Sequence, residues 1–294
     1  MAIKKVFVVG AGLMGGGITQ VAATAGYQVT MRDMTQDILD KSLENIQWSL
    51  EKFASKGKIT EEQAGQAVAN IKTTTELADA SDADLVIEAI FEDLKVKQEV
   101  FKELNGIVPE GAILATNTSA ISITSIAAAT ERPAKVVGLH FFSPVPMMRL
   151  CEVIRGLETS DETIEAAEKF AQSIGKETVL VRKDVAGFLA NRIGLTATVE
   201  AVRLLEAGVA SPQDIDKTMR LGYGHPMGPL ETADMTGIEV LMHACEAIYE
   251  ETQNEKYYPP ELMKRMITAG LKGRKTRKGF YDYSSGKQES YWKV

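Results

Sequence analysis

The chain has 294 residues, 45% of them hydrophobic and 25% charged, which is the balance of an ordinary globular protein with room for about two domains. A net charge of −7 argues against general affinity for nucleic acid or anionic membranes, while leaving room for small anionic ligands at a local cluster of basic residues. Two cysteines, Cys151 and Cys245, form no CxxC pattern, so a reducing cytosol fits better than a disulfide framework.

The N-terminal MAIKKVFVVGAG runs straight into a strand with no signal-peptide pattern, and no apolar run approaches membrane-spanning length. From there KKVFVVG, YQVTMRD, ADLVIEAI, AILATNTS, AKVVGLHFF, RLCEVIRG and KETVLVRK read as short apolar strands rich in β-branched residues, as expected of buried strands in a mostly parallel sheet. Helical patterns fall between them, in TQDILDKSLENIQWSLEKFASKG, KVKQEVFKELNGIV and SDETIEAAEKFAQSIG. This alternation predicts a doubly wound α/β sheet. Beyond about Lys183 the pattern turns helical throughout: FLANRIGLTATVEAVRLLEAG, SPQDIDKTMRLG, GPLETADMTGIEVLMHACEAIYEET and PPELMKRMITAG. Ser211 and Pro212 read there as N-cap and first helical residue. The boundary is placed near Asp184–Gly187, giving an α/β domain over 1–184 and an all-helical domain over 185–294.

The first strand ends in Gly10-Ala11-Gly12-Leu13-Met14-Gly15 and opens a helix, and the next strand ends in Asp33, eighteen residues after Gly15. That spacing is a dinucleotide fingerprint. Gly10 allows the turn, Gly12 lets backbone approach a pyrophosphate, and Gly15 lets helix and strand pack. Asp33 is placed to hold a ribose 2′-hydroxyl, favouring NAD. Arg32 beside it keeps NADP open, because an arginine there can accept a 2′-phosphate.

Asn117-Thr118-Ser119 ends the strand AILATNTS. It reads either as a helix N-cap or, with His140 at the end of the next strand, as part of a shared site at the carboxyl ends of the strands. Glu152 interrupts the apolar LCEVI twelve residues after His140. A buried carboxylate needs a partner. Facing His140 across neighbouring strands, it would fix the imidazole tautomer and stabilise the imidazolium, as a general base for alcohol oxidation requires. His225 and His243 show no metal-ligand spacing with His140, so no metal is expected. Cys151 reads as strand packing.

Taken together, GAGLMGGGITQ, LVIEAIFEDLKVKQEVF, ILATNTSAISITSIA, GLHFFSPVPMMRLCEVI, GFLANRI and LGYGHPMGPLE make the chain resemble the 3-hydroxyacyl-CoA dehydrogenases over essentially its full length. The match is closest to their short-chain bacterial branch, the 3-hydroxybutyryl-CoA dehydrogenases. The resemblance implies a Rossmann-like domain followed by a helical domain that binds substrate and dimerises. It implies that (S)-3-hydroxybutyryl-CoA and acetoacetyl-CoA are interconverted with NAD(H), in butyrate or fatty-acid metabolism. His140 would be the acid/base, oriented by Glu152. Ser119 and Asn191 would hold substrate. Glu92, Lys97, Asn117 and Lys275 would line the cofactor site, with Leu13 and Met14 in the glycine loop.

Many members carry Asn in HFFxPV where this chain has Ser143, whose reach toward the cofactor is shorter. Coenzyme A phosphates call for a basic patch, and Lys52 and Lys56 lie four apart on one helix face, although ordinary surface lysines are the default there. Two rival readings stay open: a dehydrogenase of another hydroxy acid with the same two-domain plan, and a non-catalytic NAD-binding relative. Retention of Ser119, His140, Glu152 and Asn191 together counts against the second.

Overall fold

The structure, a computed structural model, describes residues 3–286, 289, 290 and 292. It divides into two compact units, Met1–Val185 and Ala186–Val294. None of the helices among the described residues is long and apolar enough to cross a membrane.

The first unit runs β1 (Lys5–Val9), α1 (Leu13–Thr24), β2 (Gln28–Arg32), α2 (Gln36–Ser55), α3 (Glu61–Ala69), β3 (Ile71–Thr74), β4 (Leu85–Glu88), α4 (Leu94–Ile107), β5 (Ile113–Thr116), α5 (Ile123–Ala127), β6 (Val136–Phe141), β7 (Leu150–Ile154), α6 (Asp161–Ser173) and β8 (Glu177–Val181). The strands form one eight-stranded sheet in the order β3-β2-β1-β4-β5-β6-β7-β8. The seven strands read from the sequence are all present. The added one, β3, has the sequence IKTT and half-buried residues. As an edge strand with one neighbour it needs no apolar run, which is why periodicity does not reveal it.

The order reverses at β1, which lies between β2 and β4. Crevices outside the carboxyl ends of strands at such a point bind ligands. Every pairing in this sheet is parallel except β6–β7. A parallel return would need a long crossover. Here the connection is only the loop 142–149, so β7 folds back antiparallel and sets His140 opposite Glu152. Residues directly opposite in such a pair present their side chains to the same face.

The core beneath the sheet gathers Val6, Val8, Ile18, Met31, Leu39, Leu85, Ile87, Val137, Leu139, Val153 and Phe170. Helix starts follow the local chemistry. Thr60 and Gln63 form a capping box at α3. Asp93, Ser122 and Ser160 cap α4, α5 and α6 with their side chains. Because Ser122 caps α5, Asn117-Thr118-Ser119 does not serve as its N-cap.

The second unit contains α7 (Ala190–Glu206), α8 (Pro212–Tyr223), α9 (Pro229–Thr236), α10 (Ile238–Thr252), α11 (Glu261–Thr268) and the short pair β9 (Tyr281–Asp282) and β10 (Glu289–Ser290). GPLETADMTGIEVLMHACEAIYEET, read from the sequence as one helical stretch, is broken at Gly237, whose φ of +102° no helix accommodates. Val202, Leu205, Leu230, Ile238, Met263, Met266 and Phe280 form its core. Two buried carboxylates tie the segment after α11 onto α8 and α9. Asp234 accepts hydrogen bonds from the Phe280 and Tyr281 N–H groups, both at 2.9 Å, and from the Tyr283 hydroxyl at 3.0 Å. Asp216 accepts from the Tyr281 hydroxyl at 2.7 Å and from the Leu230 and Glu231 N–H groups at the start of α9.

Two expectations follow. Gly138 lies on β6 where a Cβ would approach Ile123 Cδ1 and Ile154 Cβ at 2.8 Å. Gly138→Ala is expected to cost about 1–3 kcal/mol by overpacking, read as a lower urea midpoint; a wild-type midpoint would show that the two isoleucines give way. Burial pushes the Asp234 carboxyl up to about 6, so the folded unit holds this proton more tightly than the unfolded chain does. That contribution is fully present below the unfolded carboxyl range near 4 and is lost as pH rises through about 6. Thermal midpoints compared between wild type and Asp234→Asn from pH 4 to 7 are expected to show the wild type losing ground as pH rises; parallel curves would contradict it.

Candidate functional site

The glycine loop closes the carboxyl end of β1. Gly10 takes a φ of +107°, and a Cβ there would lie 2.5 Å from the Ala89 carbonyl oxygen, so only glycine fits both demands. Gly12 opens α1, and a Cβ there would meet nothing within 4 Å. No side chain caps α1, which leaves its first N–H groups for a ligand. A Cβ on Gly15 would fall 1.8 Å from the Gly10 carbonyl oxygen, whereas the nearest strand atom, Val8 Cγ1, would be 3.5 Å away. The close approach Gly15 permits is therefore to the loop itself more than to the strand. Leu13 is exposed and Met14 half-buried.

Asp33, just past β2, accepts from the Ala11 N–H at 2.6 Å through Oδ2 and from the Met34 N–H at 2.7 Å through Oδ1. It thus pins the glycine loop to the end of β2. Arg32 donates through Nε to the Thr75 carbonyl at 3.1 Å, which holds its guanidinium against backbone. An open surface over an uncapped helix start, with an anchored carboxylate at the next strand end, fits a dinucleotide.

At the carboxyl ends of β4 and β5 lies a buried ionic cluster. Glu88 is fully buried, and Lys97 has a side-chain exposure of 1%. Lys97 Nζ is 2.6 Å from Glu88 Oε1 and 3.2 Å from Glu92 Oε2. Glu88 also accepts from the Ile90 N–H at 2.8 Å and the Thr116 hydroxyl at 2.7 Å. Glu92 in turn accepts through Oε1 from the Thr118 hydroxyl at 2.5 Å and the Ser119 N–H at 2.8 Å. Burial of a lone carboxylate or ammonium costs several kcal/mol, so buried Glu88 and Lys97 depend on each other, while Glu92 stays partly exposed. Asn117 donates its N–H to the Glu88 carbonyl and accepts, through Oδ1, from the Phe141 N–H at 2.9 Å. The end of β5 is thereby stitched to β6 beside His140.

His140 Nδ1 lies 2.7 Å from Glu152 Oε2, with side-chain exposures of 4% and 1%. An ionised carboxylate only accepts hydrogen bonds. With Glu152 ionised, Nδ1 carries the proton and Nε2 keeps the lone pair; this tautomer is assigned from the hydrogen-bond partner. The Phe142 ring packs on the imidazole, centroids 4.5 Å apart. The loop 142–149 is held from below by Lys176, whose Nζ donates to the Val145 and Met148 carbonyls at 2.5 and 2.8 Å. Burial draws the Lys176 ammonium below its ordinary range. A Cβ on Gly17 would come within 2.8 Å of Val145 Cβ, so α1 packs directly on this loop.

Among the residues expected from the sequence, the first unit therefore links His140 to Glu152 by a direct hydrogen bond and ties Asn117 to Phe141, the residue after His140. Glu92, Lys97 and Ser119 join the same network through the turn after β5. Ser119 is exposed, as is Ser143 in the loop after β6. Lys52 and Lys56 are exposed at the end of α2, and Lys52 Nζ sits 5.6 Å from the Trp48 ring centroid. In the second unit, half-buried Asn191 lies in the first turn of α7, and Lys275 is exposed and paired with Glu239.

Sequence reasoning missed Glu88 and Thr116, and it named Thr118 only within the Asn117-Thr118-Ser119 motif. Glu88 interrupts LVIEAI as Glu152 interrupts LCEVI, so the signal that singled out Glu152 was present there as well.

Comparisons with known proteins agree over both units. Residues 5–185 match the family described as 3-hydroxyacyl-CoA dehydrogenase, NAD binding domain, and residues 187–283 match its C-terminal domain. The chain is 44% identical to the 3-hydroxybutyryl-CoA dehydrogenase of Bradyrhizobium diazoefficiens over 97% of each sequence. It is 45% identical to the probable 3-hydroxybutyryl-CoA dehydrogenase of Deinococcus radiodurans, over 95% of this chain and 100% of that one. The crystal structure of (S)-3-hydroxybutyryl-CoA dehydrogenase PaaH1 from Ralstonia eutropha superposes with a TM-score of 0.92 at 43% identity, covering 96% of this chain and 100% of that one.

Neither thiol belongs to this chemistry. Burial pushes Cys151 far above the ordinary thiol range and Cys245 up to about 12. A disulfide reagent such as DTNB is expected to leave the native protein unlabelled and to titrate two thiols after unfolding; fast labelling of the folded protein would refute their burial.

Proposed function

The chain belongs to the 3-hydroxyacyl-CoA dehydrogenase family, and on that premise we propose that His140 is the general acid/base of its reaction, with Glu152 as the group that holds it in its working tautomer. Its activity is that of an NAD-dependent 3-hydroxyacyl-CoA dehydrogenase. We propose the four-carbon pair (S)-3-hydroxybutyryl-CoA and acetoacetyl-CoA as its substrates. The names of the relatives favour that choice.

The observation that carries this reading is the 2.7 Å contact between His140 Nδ1 and Glu152 Oε2, buried on one face of the sheet. In oxidation, NAD supplies the acceptor for the hydride leaving C3. His140 Nε2 takes the proton of the 3-hydroxyl. The imidazolium so formed stays paired with the Glu152 carboxylate, which lowers the cost of its charge in a buried setting. In reduction the same imidazolium returns the proton to the oxygen on C3. Ser119, exposed on the turn clamped by Glu92, serves as a substrate contact, and Asn117 and Glu92 border the cofactor. Asp33 holds the adenosine ribose, its carboxylate repelling a 2′-phosphate while the Arg32 guanidinium stays engaged at Thr75. For Asn191, Lys275, Ser143 and the pair Lys52 and Lys56, the reading rests on the family resemblance. The cytosol as its compartment rests on cysteine usage.

His140→Ala is expected to lower kcat by roughly 10²–10⁴-fold, the range for a general acid/base. Glu152→Gln keeps the shape and loses the charge, so kcat should fall sharply while NADH binding, followed by fluorescence, stays near normal. Wild-type turnover in Glu152→Gln would make the pair structural and end this mechanism. Consumption of NADH should be faster with acetoacetyl-CoA than with longer 3-ketoacyl-CoA substrates; the reverse order would move the enzyme out of the short-chain branch. Asp33→Ala should narrow the preference for NADH over NADPH, and equal use of both by the wild type would overturn the role of Asp33.

The helical unit is proposed to form a homodimer. Its surface carries Ile193, Val209, Leu221 and Tyr223 at 66–77% exposure, apolar area of the kind that marks interaction sites. Light scattering should give twice the 32.0 kDa of one chain; a monomer at working concentration would contradict it.

A further inference from the structure

The resemblance puts Lys97 at the cofactor, yet this lysine has almost no exposed surface, and its ammonium is engaged by two carboxylates. We propose that Glu88 and Lys97 form a positioning pair: they fix Glu92, and through it the turn Asn117–Ala120 that is bonded to the strand carrying His140. The inference rests on His140 being the proton-transfer residue.

A buried carboxylate and ammonium make a poor packing core. An apolar pair of similar volume fills such a space without desolvating charge, and replacing buried ion pairs in that way is often neutral for stability. What an apolar pair cannot do is direct hydrogen bonds, and here every bond has a direction. Glu88 receives the Ile90 N–H from the segment leaving β4, the Thr116 hydroxyl from the end of β5 and the Lys97 ammonium from α4. It therefore locks three chain segments to one carboxylate. Lys97 passes that constraint to Glu92 Oε2, while Glu92 Oε1 accepts from Thr118 and Ser119. Asn117, in the same turn, accepts from the N–H of Phe141, next to His140. Polar contacts thus run from a fully buried carboxylate to Thr118 and Ser119, and the peptide link from Thr118 to Asn117 carries them on to the strand of His140. Glu92 has a side-chain exposure of 42% and is the member able to face a ligand.

The test separates position from stability. Lys97→Met strands the buried Glu88 carboxylate, Glu88→Gln leaves Lys97 with only the more exposed Glu92, and each should lower the thermal midpoint by several degrees. The double variant Glu88→Gln/Lys97→Met removes both charges and should recover most of that midpoint. On the proposal, its kcat stays about 10–100-fold below wild type, the size of loss that a displaced catalytic array produces. A double variant with both midpoint and kcat restored would overturn the proposal, because the pair would then be structural alone. If the double variant does not fold, Thr118→Val decides. It removes a hydroxyl that Glu92 grips and leaves the buried pair intact. Reduced kcat at an unchanged midpoint supports the proposal, and wild-type kcat overturns it. His140→Ala, assayed alongside, separates the two failures. Full activity in that variant sinks the acid/base reading itself, whereas an inactive His140→Ala beside a fully active double variant sinks only the positioning role.

Discussion

The arrangement of the first unit turns on one hydrogen bond, from His140 to Glu152, made across the antiparallel joint of an otherwise parallel sheet. A histidine and a glutamate buried to this degree are each costly alone. The tight return from β6 to β7 cancels that cost by placing them opposite each other on one face. The same return creates the loop 142–149, which Lys176 holds in place and onto which Gly17 lets α1 pack. The His140–Glu152 pair and the loop that follows His140 therefore share one topological cause.

A second set of charges, two of them buried, does for the neighbouring strand ends what Glu152 does for His140. Glu88, Lys97 and Glu92 hold the turn after β5, and Asn117 joins that turn to β6. The two networks differ in how far they can change state. On the proposed mechanism the histidine pair exchanges a proton with substrate. The lysine cluster has its charges committed to directional bonds. One is suited to carry a proton, the other to hold geometry.

Much of this was legible in the sequence, for physical reasons that differ by feature. The buried strands showed because their apolar runs are bounded by turns, and the glycine loop showed because its spacing encodes a backbone conformation. Glu152 drew notice because a carboxylate in an apolar strand demands a partner. β3 stayed hidden because an edge strand needs no apolar pattern. The break at Gly237 was hidden because apolar spacing runs through it from α9 into α10. The burial of Lys97 was hidden because it depends on Glu88, nine residues away, and on the Glu92 turn, which no local pattern couples. The residues of the helical unit assigned by resemblance, Asn191 and Lys275, carry no local signal of that kind.

The central claim is that Glu152 fixes the proton on Nδ1 of His140 and leaves Nε2 to exchange protons with substrate. Two-dimensional ¹⁵N NMR of histidine-labelled protein at neutral pH reads this directly, with His140 assigned by its loss in His140→Ala from the signals of three histidines. A neutral ring protonated at Nδ1 with unprotonated Nε2 is the predicted result, converting to the other tautomer or to a mixture in Glu152→Gln. A wild-type His140 already protonated at Nε2 while neutral would contradict the account.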